Sequence, residues 1–171
     1  MQTFEATVEI DAKPGGKKFQ GVWLVTKDGQ RQVISYRPHG WWRAFEGRRV
    51  EATGEPYAPR GQAIAAQHFR VDKLRIVTPT PEDSLVSVSG ELELHGAFKT
   101  HTWPAGTKLE GETMTVFAAD DGTRYWLHHL PSPAPPLDSR VTVRAHQVEP
   151  SPFAARAGGR YLWVAAATPD G

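Results

Sequence analysis

The chain consists of short runs in which apolar and polar residues alternate, separated by residues that form turns. Residues 4–10 alternate regularly enough to predict a strand with one buried face. Asp-Gly pairs at residues 28–29 and 121–122 each lie between two such runs. This arrangement is a strong hairpin signal, because Gly adopts positive φ at no steric cost and Asp tolerates it. The pattern therefore predicts a β-protein organised around two hairpins.

The two hairpins belong to a longer internal repeat. Each is followed by a proline and then by a further apolar strand, at residues 49–54 and 140–145. A repeat of this size is too long for a solenoid unit and suits two small β-domains in tandem. Between the copies, Pro79 and Pro81 disfavour both helix and sheet. We therefore predict a first domain over residues 1–77, a short Pro-rich linker over 78–84 and a second domain over 85–171.

Each domain is predicted to contain five strands, with a different connector after the hairpin. In the first, Trp41, Trp42 and Phe45 have helical spacing ahead of Gly47, which predicts one or two helical turns whose tryptophans fill the core. In the second, four prolines within residues 131–136 exclude an α-helix and predict an extended connector. The predicted strands cover residues 4–10, 21–27, 32–37, 49–54 and 67–77, then 85–94, 114–119, 124–130, 141–148 and 160–168.

This order of elements resembles the OB-fold, a five-stranded Greek-key barrel that binds oligonucleotides or oligosaccharides. The run Gly21-Val22-Trp23-Leu24-Val25 ahead of the first Asp-Gly carries the likeness. So does the Gly-x-x-Val-x-x-x-Gly pattern of residues 47–54, which looks like the fourth strand of nucleic-acid-binding OB domains. The resemblance covers nearly all of residues 3–77 and, more loosely, residues 85–168. It implies an all-β protein of two tandem OB-like barrels, the second divergent because it lacks the helix and the Gly after its fourth strand.

The charge of the chain is unevenly distributed between the two halves. Residues 1–80 contain thirteen Lys and Arg against eight Asp and Glu, whereas residues 81–171 contain seven against eleven. A basic first half and an acidic second half hint at a charged partner for one of them. Ordinary variation in solvated surface charge is the plainer interpretation.

The composition also excludes several classes of chemistry. The chain of 171 residues has no Cys, which rules out disulfides, thiolate nucleophiles, iron–sulfur clusters and Cys-ligated zinc. No apolar run approaches the roughly 20 residues that a bilayer requires. The N-terminus lacks the basic and apolar regions of a signal peptide. We therefore expect a cytoplasmic protein without a membrane partner.

The OB resemblance implies a ligand face on strands two and three of the first domain, framed by two loops. Single-strand binding there would need aromatic stacking platforms beside cations. If Val22 and Leu24 face the core, alternation sends Trp23 outward among basic residues. Alternatively, Trp23 packs under a loop or against the second domain. The predicted nucleic-acid-binding residues are Lys17, Lys18, Trp23, Lys27, Arg37, Tyr57 and Arg60.

The second domain offers aromatic residues with few cations near them. Core packing is the favoured interpretation of Trp103, Tyr125, Trp126, Tyr161 and Trp163. A protein partner, or a sugar site built on Trp126 and Trp163, suits such residues better than a phosphodiester backbone does.

No pattern in the sequence indicates catalysis or metal binding. The nucleophile elbow, the Walker loop and the dinucleotide fingerprint are missing. His128 and His129 are adjacent, so in a strand they should point to opposite faces and not ligate one ion. We expect a non-enzymatic protein with no catalytic residues, no metal site and no cofactor.

Two functions follow as expectations. In the first, the basic domain contacts single-stranded nucleic acid with low sequence specificity. In the second, the chain is a protein–protein adaptor or accessory subunit of a larger assembly, without nucleic-acid binding of its own. Its partner would then be held by the second domain or by Pro131–Pro136, because proline-rich segments lose little entropy on binding.

Overall fold

The structure, a computed structural model, describes residues 1–11, 21–36, 40–154 and 157–171. These residues form ten strands and one short 3-10 helix, so the predicted all-β class is confirmed. The helix covers Gly40–Phe45. The strands are β1 (Gln2–Asp11), β2 (Gly21–Val25), β3 (Arg31–Ser35), β4 (Arg49–Tyr57), β5 (Gln67–Ile76), β6 (Leu85–Thr102), β7 (Thr113–Ala119), β8 (Arg124–His129), β9 (Arg140–Pro150) and β10 (Arg160–Pro169).

Two compact units divide the chain, and the division falls inside β6. The first unit comprises residues 1–90 and 150–155, and the second comprises residues 91–149 and 156–171. The segment predicted as a linker, residues 78–84, thus belongs to the first unit. It is fixed there by Asp83, a buried carboxylate that accepts hydrogen bonds from the Thr80 backbone N–H (2.8 Å) and from Nη2 of Arg48 (2.9 Å).

The first unit is built on a closed five-stranded barrel. Its strands lie in the order β3-β2-β1-β4-β5, and a parallel pairing of β3 with β5 closes the ring. The start of β6 adds to β5 as an antiparallel extra strand, with Lys73 opposite Ser89. Val8, Leu24, Val50, Phe69 and Leu74 fill the interior, each fully buried.

The helix of the first unit supplies further core residues. Trp41 and Phe45 are buried, with their rings edge-on at 5.9 Å, whereas Trp42 is only half-buried and packs on Trp41. The predicted helical turn is therefore confirmed. The predicted core role holds for Trp41 and not fully for Trp42.

In the second unit the strands lie in the order β6-β7-β8-β10-β9, with an additional pairing between β6 and β9. The β8–β10 pairing is parallel, and the register of β10 shifts between Leu162 and Trp163. Residues 131–136 contain neither helix nor strand, as the prolines predicted. The core of this unit contains Phe98, Phe117, Tyr125, Val141, Val143, Ala145, Leu162 and Val164. No helix among the described residues is long and apolar enough to cross a membrane.

Candidate binding surfaces

Trp23 does not provide the exposed stacking platform that strand alternation predicted. Its side chain is only 8% exposed, and the guanidinium of Arg31 lies over its ring at 4.2 Å from the centroid. Gly21 makes room for the indole, because a Cβ at that position would lie 2.6 Å from Trp23 Nε1. Alternation predicts the side of a strand from which a residue projects. It does not predict that a diagonal neighbour on the next strand will cover that residue.

Arg31 takes the exposed position that was expected of Trp23. Its side chain is 45% exposed and lies 3.7 Å from the carboxylate of Glu9 on β1. A guanidinium held flat on an indole gains a cation–π contact and retains an outer face toward solvent. The solvent-facing group of this hairpin is therefore a cation supported by an aromatic ring.

The other predicted interface residues are dispersed. Lys27, Tyr57 and Arg60 are exposed, whereas Lys17, Lys18 and Arg37 lie outside the described residues. Lys27 lines a concavity of about 450 Å³ together with Glu5, Glu9 and Arg49. The Tyr57 ring packs edge-on against the ring of His68, with centroids 5.6 Å apart. Among the described residues, no hydrogen bond, ion pair or ring contact joins Tyr57 or Arg60 to Lys27.

Most of the described arginines of the first unit form ion pairs with carboxylates. Each exposed pair contributes little to stability, but it lowers the positive potential that a polyanion would meet. Five of these pairs are exposed: Arg31 with Glu9, Arg43 with Glu46, Arg49 with Glu5, Arg70 with Glu55 and Arg75 with Glu51. In a sixth pair Arg48 contacts the buried carboxylate of Asp83.

The second unit carries aromatic residues on the side of its strands that faces away from the core. Phe117 and Tyr125 are opposite one another and belong to the core, so their neighbours Val116 and Trp126 point the other way. Tyr161 is opposite Trp126 on β10 and continues the row. We call this surface the aromatic face and define it as His101, Trp103, Trp126, His128, Tyr161 and Trp163.

Two tryptophans and a histidine form the centre of the aromatic face. The rings of Trp103 and Trp126 are parallel to within 5° with centroids 5.4 Å apart, and His101 stands edge-on to both at 5.1 Å. Val116, directly opposite Trp126, is 3% exposed although it lies outside the core cluster. Trp126 Nε1 donates to the Gly158 carbonyl oxygen at 2.9 Å. The Trp103 backbone N–H donates to the Glu112 carbonyl oxygen, and the Gly111 N–H donates to the Trp103 carbonyl oxygen, which fixes the start of the loop after β6.

A second group of rings surrounds Trp163. His129 stacks on Trp163 with centroids 4.2 Å apart, and His128 lies at 5.8 Å. The adjacent histidines were expected to face opposite sides, yet both rings contact Trp163. The register shift after Leu162 places Trp163 opposite His129. Burial, together with the nearby His129, lowers the pKa of His128. No cluster with the makings of a metal site occurs in the part of the chain that the structure describes.

The prediction that the aromatics of the second unit fill its core is correct only for Tyr125. Trp103, Trp126, Tyr161 and Trp163 remain half-buried outside that core. The signal that could have placed these residues is the alternation of side-chain direction along each strand, counted from the core residue Phe117. It was hidden because Val116 and Phe117 are both apolar, so the sequence does not show which side is inside.

The proline-rich connector of the second unit borders an apolar groove. The groove has a volume of about 390 Å³. Pro131–Pro136 form one wall, and the small side chains of Ala165, Ala166 and Ala167 on β10 form another. The connector is tied to β6 by the bond from the Asp138 backbone N–H to the Phe98 carbonyl oxygen (2.9 Å).

Comparison of the chain with protein-family models, with curated proteins and with solved structures finds no match.

Proposed function

We propose that the chain is a non-enzymatic binding protein of two OB-like barrels whose first barrel contacts single-stranded nucleic acid with low sequence specificity. The tandem arrangement is supported by the shared strand order of the two units. The order β6-β7-β8-β10-β9 corresponds strand by strand to β1-β2-β3-β5-β4, and the parallel pair, β8–β10 or β3–β5, has the same place in both.

The observation that carries the nucleic-acid proposal is the stack of Arg31 on Trp23. Unpaired bases stack on guanidinium planes as they do on aromatic rings. The outer face of Arg31 offers such a plane, held in place from below by the indole at 4.2 Å. Lys27 is exposed at the tip of the same hairpin and supplies a charge for phosphate. In this proposal Arg31 is the stacking group and Trp23 is its support.

The ion pairs of the first unit set the expected strength of binding. Arg31 and Arg49 would have to exchange Glu9 and Glu5 for phosphate oxygens. That exchange offsets part of the gain, so we expect modest affinity that weakens with added salt because counterions are released. Lys17, Lys18, Arg37, Tyr57 and Arg60 complete the proposed interface.

Fluorescence anisotropy with a labelled oligothymidylate tests this proposal. Arg31→Ala is expected to weaken binding about tenfold, as loss of one stacking partner does. Arg43→Ala is the matched control, because Arg43 is an exposed arginine of the helix and pairs with Glu46 at 3.7 Å. Absence of binding at low salt, or equal affinity of the Arg31→Ala and Arg43→Ala variants, would refute the proposal.

A second candidate function, a protein–protein adaptor without nucleic-acid binding, is favoured by the apolar groove beside Pro131–Pro136. Its walls of Pro and Ala offer apolar surface and almost no charge. An affinity purification after nuclease treatment tests this function. Recovery of a stoichiometric partner that is lost in an Ala166→Glu variant would support the adaptor. Recovery of the same partner by that variant would exclude the groove as its binding site.

A further inference from the structure

We propose that the aromatic face of the second unit binds a neutral carbohydrate. This inference concerns a different unit and a different class of ligand from the nucleic-acid proposal, and it stands or falls independently. Three tryptophans, two histidines and a tyrosine on one side of a sheet make a platform of unusual aromatic density. Because neighbouring strands are about 4.8 Å apart, a platform crossing from β6 to β10 measures roughly 15 Å. That length suits an extended oligomeric ligand.

The ring geometry determines where a ligand can lie. Trp103 and Trp126 are stacked at 5.4 Å, so no guest ring fits between them. A ligand must therefore lie across the outward surfaces and edges of the rings. The C–H groups on one face of a pyranose ring are weakly positive and apolar, and they complement the negative face of an indole. A chain of sugar rings can repeat this contact along the platform.

The charges around the platform favour a neutral ligand. Among the described residues, no ion pair involves a member of the aromatic face, and two nearby acidic side chains of the unit illustrate pairing elsewhere. Asp138 holds Lys99 at 2.9 Å, and Asp170 holds Arg140 at 3.1 Å. Lys99 lies opposite Val116 in the same row, and Asp138 balances its charge.

The polar atoms of the face suit hydroxyl groups. The lowered pKa of His128 keeps its imidazole neutral at pH 7, with one nitrogen able to donate a hydrogen bond and the other to accept one. Trp103 Nε1 has no hydrogen-bond partner among the described residues. Because this indole nitrogen is buried, the imidazole of His128 is the group that would contact ligand hydroxyls in this proposal.

Titration of the full chain with cellohexaose and with maltohexaose, followed by NMR of the indole N–H signals, tests the proposal. We expect at least one of these neutral glucans to cause saturable shifts at Trp103, Trp126 and Trp163 at millimolar concentration. Trp42, in the helix of the first unit, should not respond. Binding should be insensitive to added salt, in contrast to binding of an oligothymidylate.

Substitutions distinguish the loss of a stacking contact with the glucan from an indirect effect on folding. Trp126→Ala and Trp163→Ala should each weaken glucan binding about threefold to tenfold, the usual worth of one aromatic contact. Trp126→Phe should retain part of the affinity, and Trp42→Ala should retain all of it. The proposal is overturned if neither glucan shifts these signals. It is equally overturned if affinity is unchanged in both alanine variants, or if only the oligothymidylate shifts the signals.

Discussion

Trp23 in the first unit and Trp126 in the second both project from the outward side of their strands, yet their surroundings differ. Arg31 lies over Trp23, and Glu9 holds Arg31 in turn. Trp126 is covered only in part, by another tryptophan and a histidine. The first unit thus presents charge supported by an aromatic ring, whereas the second presents aromatic rings without charge. The same type of residue thus provides surfaces of different chemistry, because the residue that covers it differs.

The largest expected effects concern two close backbone contacts, one in each unit. A Cβ at Gly54 would collide with the Arg70 carbonyl oxygen, and a Cβ at Gly96 with the Ala118 carbonyl oxygen. Because backbone cannot move aside cheaply, Gly54→Ala and Gly96→Ala should each lower the free energy of unfolding by about 3 kcal/mol or more. Chemical denaturation measures this. Gly158→Ala, which meets nothing within 4 Å, is the control and should be nearly neutral.

A smaller loss of stability should follow removal of the buried carboxylate of the first unit. Asp83 is buried, with its Oδ1 2.8 Å from Nε of Arg48. Asp83→Ala would leave that guanidinium without its carboxylate, and we expect a loss of about 2 kcal/mol in the free energy of unfolding. The exposed neighbour Glu82 supplies the control, Glu82→Ala. If the two variants were equally stable, the buried pair would not contribute to holding residues 78–84.

Removal of the Arg31 guanidinium should uncover the ring of Trp23 and so make this surface resemble the aromatic face. In Arg31→Ala the ring of Trp23 loses its cover, so its fluorescence emission should move to longer wavelength. The accompanying loss of stability should stay under about 1 kcal/mol, the worth of an exposed cation–π contact. Arg43→Ala should leave the emission unchanged. An unchanged spectrum in Arg31→Ala would mean that other groups bury the indole.

The smallest expected effect is a pH dependence confined to the second unit. The pKa of His128 is lower in the folded protein than in the unfolded chain, where it is about 6.5. Below pH 7 the unfolded chain therefore binds more protons than the folded protein does. The free energy of unfolding should decrease as the pH falls from 7. Denaturation curves across this range should show the trend, and His128→Gln should flatten it. A steeper decline in the variant would contradict the sign.

Several features could be predicted from local pattern, because they depend on local chemistry. The hairpins at residues 28–29 and 121–122 formed where Asp-Gly predicted them, and Gly29 and Gly122 have positive φ. The helical turn before Gly47 and the non-helical connector at residues 131–136 likewise follow from spacing and proline content.

Other features could not be predicted, because they depend on residues distant in the chain. The division between the units lies after Gly90 and not at the prolines, since Arg48 and Asp83 fix residues 78–84 to the first unit. The joint contact of His128 and His129 with Trp163 depends on one register shift in β10.

The sequence by itself determined the β class and the position of the turns, because alternation, glycine conformation and proline geometry act within a few residues. Only the tertiary structure decided which tryptophans meet solvent. That outcome depends on cross-strand neighbours: Arg31 over Trp23 in one unit, and Trp103 beside Trp126 in the other. The side chains packed across the strands of each unit therefore specify two different surfaces.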